Sequence, residues 1–204
     1  AKVIADIKNA VPGAEVLIVD SSTDETPAIA ESMGARVIRQ LPPKGYGAAM
    51  DLALRSAAGE IVITLDCDDT YPADFIPNIV SAINEQGYDA VDCSRLERKS
   101  SSMPWPNYLA NYGFALLASM LFRKRLTDLH SGMRGYKKSM LPMLNYRPSG
   151  AALPVELLLL PIKKGYKMKL TFISYHNRIG ESTMSPLATS WWTLKRIFWV
   201  YFHG

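Results

Sequence analysis

The chain has 204 residues, 48% of them hydrophobic, and a formal net charge of +4. This size and composition fit one domain with a real core and exclude wholesale disorder, while the small, dispersed positive excess argues against nucleic-acid binding and suits a membrane surface or a phosphorylated substrate. The two cysteines show no metal-binding spacing and no disulfide framework, and no run reaches the ~18 apolar residues needed to cross a bilayer.

The first 90 residues alternate short apolar runs with helical patterns. Gly34, Gly59 and Gly87 follow three of the helical patterns and are expected to end them. This β-α rhythm with short connections predicts an α/β sheet of mainly parallel strands. The predicted helices are 2–11, 23–33, 46–58 and 73–86, and the predicted strands are 15–19, 36–40, 61–65 and 89–93.

After residue 95 the rhythm breaks. Residues 97–107 are polar and contain prolines, which predicts a loop. Beyond the loop we predict an apolar helix followed by three cations, a β-like run, two short helices, another strand and an aromatic, helical tail. Their ranges are 107–122 with the cations at 123–125, then 131–137, 138–144, 153–164, 167–176 and 186 onward.

The sharpest motif is LDCDDTYP (65–72), in which Asp66, Asp68 and Asp69 follow an apolar strand. Open α/β sheets bind ligands at the carboxyl ends of their strands. Clustered carboxylates there repel one another unless a cation neutralises them, and Mg²⁺ or Mn²⁺ suits such oxygen ligands and bridges to substrate phosphates. The motif therefore predicts a divalent-metal site. The alternative is a polar turn whose aspartates cap the next helix.

Two earlier turns carry candidate ligand contacts. In VLIVDSSTDET (16–26) a buried strand delivers Asp20 to the sheet edge, where it can hydrogen-bond a base or ribose, although the residues after it also fit simple helix capping. In PPKGYGAAM (42–50) Gly45 opens a helix directly after Lys44, and helix N-termini bind phosphate. A glycine turn into a helix is also common without any ligand.

The segment LTDLHSGMRGY (126–136) gathers Asp128, His130, Ser131 and Arg134. Asp128 is a candidate to orient or deprotonate an acceptor group, and Arg134 is a candidate clamp for phosphate oxygens. His130 also fits an ordinary turn histidine.

The segment SYHNRIGES (174–182) places Tyr175, His176 and Arg178 before a Gly-Glu-Ser turn. A basic residue on a loop beside a diphosphate can stabilise a leaving group. The alternative is a solvated strand end.

In their order and spacing, these motifs resemble family 2 of the nucleotide-sugar glycosyltransferases, in the branch of dolichyl- and polyprenyl-phosphate hexosyltransferases. The resembling segments span residues 1–184, which we predict to form the catalytic domain, with a membrane-proximal tail at 185–204. The resemblance implies a GT-A (Rossmann-like) fold, Mg²⁺ or Mn²⁺, a GDP- or UDP-hexose donor and a polyprenyl or dolichyl phosphate acceptor.

Site roles follow from the resemblance by position. Glu156 matches an acidic position on a helix that faces the site. The resemblance implies nucleotide-sugar contacts at Asp20, Ser22, Lys44, Gly45, Asp66 and Asp68, metal ligation by Asp66 and Asp68, acceptor contacts at Ser131, Arg134 and His176, and catalytic roles for Asp128, Arg134 and Arg178.

The chain departs from the family pattern at three places. It begins in the helix that follows the family's first strand and its Pro-x-x-Asn-Glu segment, so a truncated chain is expected. Val19-Asp20 stands where the family often has two aspartates, and Thr183 stands where a lysine commonly follows the Gly-x-Ser turn. The expected reaction is a single displacement with inversion, in which positioning and charge neutralisation dominate.

Aromatic residues cluster with cations near 104–122 and 187–202. This pattern is typical of helices at a bilayer interface and predicts an enzyme on the cytoplasmic face of a membrane. The alternatives are core helices or an oligomer contact. A saccharide or other non-lipid acceptor and a nucleotide-sugar-binding protein without turnover remain open as functions, whereas a nucleotidyltransferase lacks its usual G-x-G-x-R loop.

Overall fold

A computed structural model of the chain describes residues 1–96, 105–148, 150–174 and 186–204. It confirms the predicted α/β architecture. Six strands are described: β1 Leu17–Asp20, β2 Arg36–Arg39, β3 Ile61–Thr64, β4 Ala90–Ser94, β5 Arg134–Lys137 and β6 Met168–Phe172. The helices described are α1 Lys2–Ala10, α2 Thr26–Ser32, α3 Tyr46–Ser56, α4 Ile76–Asn84, α5 Trp105–Phe122, α6 Leu141–Leu144, α7 Leu153–Lys163 and α8 Pro186–His203, with single 3₁₀ turns at Ala73–Phe75 and Lys138–Met140.

Element boundaries differ from the predicted ones by a few residues. Helix α5 begins at Trp105, inside the predicted loop, because a proline is tolerated in the first turn of a helix, where its missing N–H has no partner to lose. Strand β5 is shorter than predicted, because Ser131 and Met133 pair with the end of β4 through local bonds instead of continuing the ladder.

The strands form two sheets within the described part of the chain. Strands β1 and β2 pair in parallel, and the other four follow the order β3-β5-β4-β6. In that second sheet β4 and β6 are parallel, while β5 runs antiparallel to both β3 and β4. Three strands therefore share one direction and β5 opposes them. The carboxyl ends of β3 and β4 lie beside the start of β5.

Arg134 is the residue at which these three strand ends meet. It is paired in register with Thr64 at the end of β3 and with Asp92 near the end of β4. The loop after β3, the residues after β4 and the segment before β5 are thereby brought to the same sheet edge. This edge is where ligands of open α/β sheets bind.

The main core lies around α7. Its residues from Leu153 to Leu160 are all buried, and α7 packs against both α8 and α5. Full burial of one leucine side chain stabilises the fold by about 1.5–3 kcal/mol, so this helix is a major source of stability. On the sheet, Gly135 lets α4 approach closely, because a Cβ at that position would lie 2.2 Å from Cγ2 of Ile79.

Helix α8 has two distinct faces. Thr193, Arg196, Ile197 and Val200 are buried at the i, i+3, i+4, i+7 spacing of one helical face. The opposite face leaves large aromatic rings exposed: Trp191, Trp192, Phe198, Tyr201 and Phe202. No helix among the described residues is long and apolar enough to span a bilayer.

Candidate active site

The acidic loop after β3 contacts the segment before β5. The Asp66 carboxylate lies against the Cα of Gly132, so closely that a Cβ on Gly132 would be 2.4 Å from Oδ2. The Gly132 amide donates to the Tyr71 hydroxyl at 2.6 Å, and the Thr64 hydroxyl donates to the Gly132 carbonyl at 2.8 Å. Residues of the predicted metal motif and of the predicted acceptor motif are thus side by side.

The three aspartates of the acidic motif have different surroundings. Asp68 Oδ1 accepts hydrogen bonds from the hydroxyl and the amide of Thr70, at 2.5 and 3.3 Å, which closes a local turn. Asp69 adopts a left-handed φ of 61° and pairs with Lys2 at 2.7 Å. Asp66 and Asp68 therefore stand apart from Asp69, whose charge is compensated by α1.

Asp66 and Asp68 have the chemistry expected of ligands to the Mg²⁺ or Mn²⁺ ion that the sequence implies. Desolvation, and after it the negative charges of Asp66 and Asp68, raise the pKa of the Cys67 thiol that lies between them in the sequence. Within the described ranges, no set of three or more His, Cys, Asp or Glu side chains could hold a metal ion. Mg²⁺ is commonly held by one or two carboxylates together with substrate phosphates, and Asp66 and Asp68 provide that number.

Asp20 and Ser22 are adjacent at the end of β1. Asp20 is buried, and its Oδ1 accepts from the Ser22 amide at 3.1 Å and the Ser22 hydroxyl at 2.9 Å. The Arg39 guanidinium also pairs with Asp20. Sequence reasoning missed Arg39, although the parallel register that sets it opposite Asp20 follows from pairing two consecutive strands.

Gly45 opens α3 as predicted. Its φ of +88° is strained for any residue with a side chain, and the helix begins with no side-chain cap, so its first amides are available to a ligand. Desolvation, and after it the negative charge of Asp66, raises the pKa of Tyr46, the first residue of α3. The N-terminus of α3 therefore lies within electrostatic reach of Asp66. Lys44, just before it, is exposed.

Asp128 is fully buried and bound to Arg95. The guanidinium of Arg95 donates from Nε to Oδ2 at 2.7 Å and from Nη2 to Oδ1 at 2.9 Å. Burial alone would raise the pKa of Asp128, but the charge and hydrogen bonds of Arg95 outweigh it and hold this pKa well below its usual range. In this geometry Asp128 is ionised and anchors Arg95, so of the two roles considered from the sequence, orienting or deprotonating an acceptor, the pairing does not fit the second.

Arg95 was not singled out in the sequence. It follows β4 directly, at the sheet edge to which the acidic loop also belongs. An arginine immediately after a buried strand was the available signal.

The structure corrects the predicted acceptor clamp at Arg134. Its guanidinium is buried and donates to Asp92, to the Pro154 carbonyl at 2.6 Å and to the Leu129 carbonyl at 3.1 Å. These bonds engage Nε, Nη1 and Nη2 and direct the guanidinium into the fold, which does not fit a clamp on an acceptor phosphate. Arg134 instead ties β5 to β4 and α7, beneath the candidate site.

Ser131 is corrected in the same way. It is buried, and its hydroxyl donates to the Cys93 carbonyl at 2.5 Å. This bond holds the segment before β5 against the end of β4. A direct acceptor contact would require that bond to break.

His130 links the segment before β5 to helices α5 and α8. Its Nδ1 lies 2.9 Å from Oδ1 of Asn111 on α5, and its Nε2 lies 2.8 Å from Oγ1 of Thr193 on α8. The neutral ring satisfies both contacts, donating to the amide oxygen and accepting from the hydroxyl. Burial lowers the pKa of His130 to about 4, so the ring is neutral at physiological pH.

Glu156 does not face the site. It is fully buried on α7, where Oε1 pairs with Arg196 of α8 and Oε2 accepts from the Arg147 amide at 2.7 Å. Its position corrects the expectation drawn from the resemblance. The two remaining predicted residues, His176 and Arg178, lie outside the described residues.

The profile of Glycosyl transferase family 2 matches residues 1–143 of this chain. Dolichyl-phosphate hexose transferase of Haloferax volcanii is 41% identical over 187 residues, covering 91% of this chain and 81% of that protein. Undecaprenyl-phosphate 4-deoxy-4-formamido-L-arabinose transferase of Serratia proteamaculans is 30% identical over 149 residues, which cover 69% of this chain and 44% of that protein.

Solved structures agree on the fold. Glucosyl-3-phosphoglycerate synthase from Mycobacterium tuberculosis, in complex with Mn²⁺, uridine diphosphate and glucosyl-3-phosphoglycerate, superposes with a TM-score of 0.73 at 22% sequence identity. The superposition covers 97% of this chain and 72% of that one. The GT-A fold predicted from the sequence is confirmed.

Proposed function

The chain belongs to glycosyl transferase family 2, and we propose that it transfers a hexose from a nucleoside-diphosphate sugar to a polyprenyl or dolichyl phosphate, with inversion at the anomeric carbon. The observation that carries the proposal is the contact between Asp66 and Gly132, which joins the donor-side loop to the segment before β5. The similarity to a dolichyl-phosphate hexose transferase supports the class of acceptor.

The residues proposed to bind the donor lie at the carboxyl ends of β1 and β3 and at the N-terminus of α3. Asp20 and Ser22 at the end of β1 are placed to bind base or ribose, and Asp20 is oriented for this by Arg39. The uncapped N-terminus of α3, with Lys44, supplies amides and a cation for phosphate. Asp66 and Asp68 would hold Mg²⁺ or Mn²⁺, which supplies charge neutralisation to the diphosphate leaving group.

The chemical step is a single displacement. An oxygen of the acceptor phosphate forms a bond to the anomeric carbon from the face opposite the leaving group, and the bond to the nucleoside diphosphate breaks with its electron pair. The acceptor is already anionic near neutral pH, so no base is needed, in keeping with the ion-paired state of Asp128. Arg95, held at the sheet edge by Asp128, is a cation on the same edge as the acidic loop and a candidate to lie beside the reacting groups.

The acceptor requires access to a membrane, and two helices offer it. Along α5 the exposed residues Trp105, Leu109, Tyr112, Leu116 and Met120 recur every three or four positions, which forms one apolar stripe. The exposed aromatic face of α8 adds a second apolar surface. Both surfaces suit the interfacial zone of a bilayer and support docking on a membrane.

The test is a transfer assay with the chain, Mn²⁺, polyprenyl phosphate in detergent and a panel of UDP- and GDP-hexoses. We expect a hexosyl-phosphoryl-polyprenol by mass spectrometry, with the anomeric configuration inverted by NMR. Donor hydrolysis with hexose transfer only to added saccharides would favour a non-lipid acceptor. Donor binding without turnover of any substrate would favour a binding protein.

A further inference from the structure

A cationic pocket is formed by residues other than those of the candidate active site. It has a volume of about 320 Å³ and is lined by Arg147, Trp192, Lys195, Arg196 and Trp199. These residues come from α8 and from the connection between α6 and α7. The loops after β3 and β4, which form the candidate active site, contribute none of them.

Three cations line this pocket, and their carboxylate contacts differ. Glu156 pairs closely with Arg196, whereas the Arg147 guanidinium reaches the same Oε1 only at 3.4 Å. In the described part of the chain, Lys195 forms no ion pair with a carboxylate and lies instead over the rings of Trp191 and Trp192, at 5.0 and 5.9 Å. Among the described residues, Glu156 is therefore the carboxylate that contacts this pocket, and it pairs with two of the three cations.

The aromatic rings hold two of these cations in position. The Arg147 guanidinium carbon lies 3.5 Å above the centroid of the Trp199 ring. Stacking on an aromatic face restrains a guanidinium while leaving its edge N–H groups available to an anion. Arg147 and Lys195 are both exposed, so a ligand can reach them.

We propose that this pocket binds a phosphate group, separately from the transfer reaction. Arginine and lysine are the side chains that recognise phosphate oxygens through charge-assisted hydrogen bonds, and two of them converge here on a concave, solvent-accessible surface. The phosphate belongs either to the headgroup of an anionic lipid or to a soluble phosphate. The proposal does not depend on the sugar-transfer activity.

Vesicle flotation and ³¹P NMR distinguish the two sources. The intact chain is floated with vesicles of phosphatidylcholine alone or mixed with phosphatidic acid, and it is titrated separately with inorganic phosphate. We expect Arg147→Gln and Lys195→Gln each to weaken binding on the order of fivefold, the effect of one cation near a charged surface. Lys167→Gln is the matched control, because Lys167 is also exposed and lies 4.6 Å from the Tyr88 ring centroid.

Each outcome decides the proposal. Selective loss of binding to phosphatidic acid vesicles supports a lipid headgroup, and selective loss of the inorganic phosphate signal supports a soluble ligand. If Arg147→Gln and Lys195→Gln match Lys167→Gln with both probes, the proposal is wrong. Arg147→Gln keeps the backbone bond from residue 147 to Glu156, and thermal unfolding of each variant shows whether the fold is retained.

Discussion

The carboxylate of Asp66 lies directly against the Cα of Gly132, although the two residues belong to different motifs. The contact exists because β3 and β5 are neighbours in the sheet and the loops at their ends share one edge. Glycine at position 132 leaves the space that the carboxylate occupies. The position of Asp66, and any ligand it holds, therefore depends on a residue far away in the sequence.

Substituting Gly132 with alanine tests this dependence. The new Cβ would fall within 2.4–2.8 Å of three atoms of the Asp66 carboxyl group, so Asp66 must rotate away. We expect Gly132→Ala to weaken Mn²⁺-dependent binding of a nucleoside diphosphate, measured by calorimetry. Gly113→Ala on α5 is the control, since a Cβ there meets nothing within 4 Å. If both variants bind the nucleoside diphosphate equally well, Asp66 is not part of the metal site.

Asp68→Asn tests the proposed metal ligand itself. Removing one anionic ligand from a site with two carboxylates costs several kcal/mol of charge stabilisation. We expect donor binding to lose its dependence on Mn²⁺ in isothermal titration. Asp74→Asn, at an exposed aspartate in the following turn, should bind as the parent does. Parent-like Mn²⁺ dependence in Asp68→Asn would show that the metal is held elsewhere.

Arg134→Lys is expected to destabilise the fold. Lysine cannot reproduce the donors that satisfy Asp92 and the Leu129 and Pro154 carbonyls. The variant keeps the positive charge beside Asp92, but leaving the buried Pro154 and Leu129 carbonyls without their donors costs about 1–3 kcal/mol each, which urea unfolding would detect. Arg55→Lys, at an exposed pair with Asp51, should change stability by less than about 0.5 kcal/mol. If Arg134→Lys is as stable as the parent but has lost transfer, the result would support the original interpretation of Arg134 as a clamp on the acceptor phosphate.

His130 makes stability depend on pH. Its pKa is lowered in the fold to about 4 from the ordinary histidine value of 6.5, so between these values the unfolded chain binds the extra proton. The contribution of neutral His130 to the free energy of unfolding is therefore present in full well above pH 6.5. It falls as the pH decreases, by about 2 kcal/mol between pH 7.5 and pH 5. Urea unfolding at the two pH values measures this loss.

Two variants identify His130 as the source of that pH dependence. His130→Gln should reduce the difference between the two pH values, because it removes the titrating ring. Thr193→Val should retain the difference, because it removes only one hydrogen bond to the ring. An unchanged pH dependence in His130→Gln would assign it to other groups.

The exposed face of α8 is expected to drive membrane docking. Deleting the helix would also remove Ile197 and Val200 from the core, so the informative change is on the opposite face. We expect Trp191→Ser and Phe198→Ser each to lower partitioning into liposomes on the order of tenfold, since each ring then no longer enters the apolar phase. Ile29→Ser, at an exposed residue of α2, is the control. If both α8 variants float as the parent does, membrane contact would be assigned to α5 instead of α8.

Local patterns in the sequence determined much of the architecture. The alternation of apolar runs with helical patterns was sufficient to predict the α/β class, because the burial of each element follows from its own periodicity. The turn at Gly45 and the acidic loop after β3 were also visible, since their chemistry lies in consecutive residues. Similarly, the aromatic pattern of the tail predicted a helix with an exposed face.

Tertiary structure alone decided which polar residues remain accessible. Asp128, Ser131 and Arg134 resemble a surface site in the sequence, yet all three are buried and paired with residues that are distant along the chain. Their partners are set by the antiparallel insertion of β5 between β3 and β4, which no local pattern encodes. A polar group can be buried only if hydrogen bonds compensate for lost hydration, and the neighbours that provide those bonds are brought together by long-range folding.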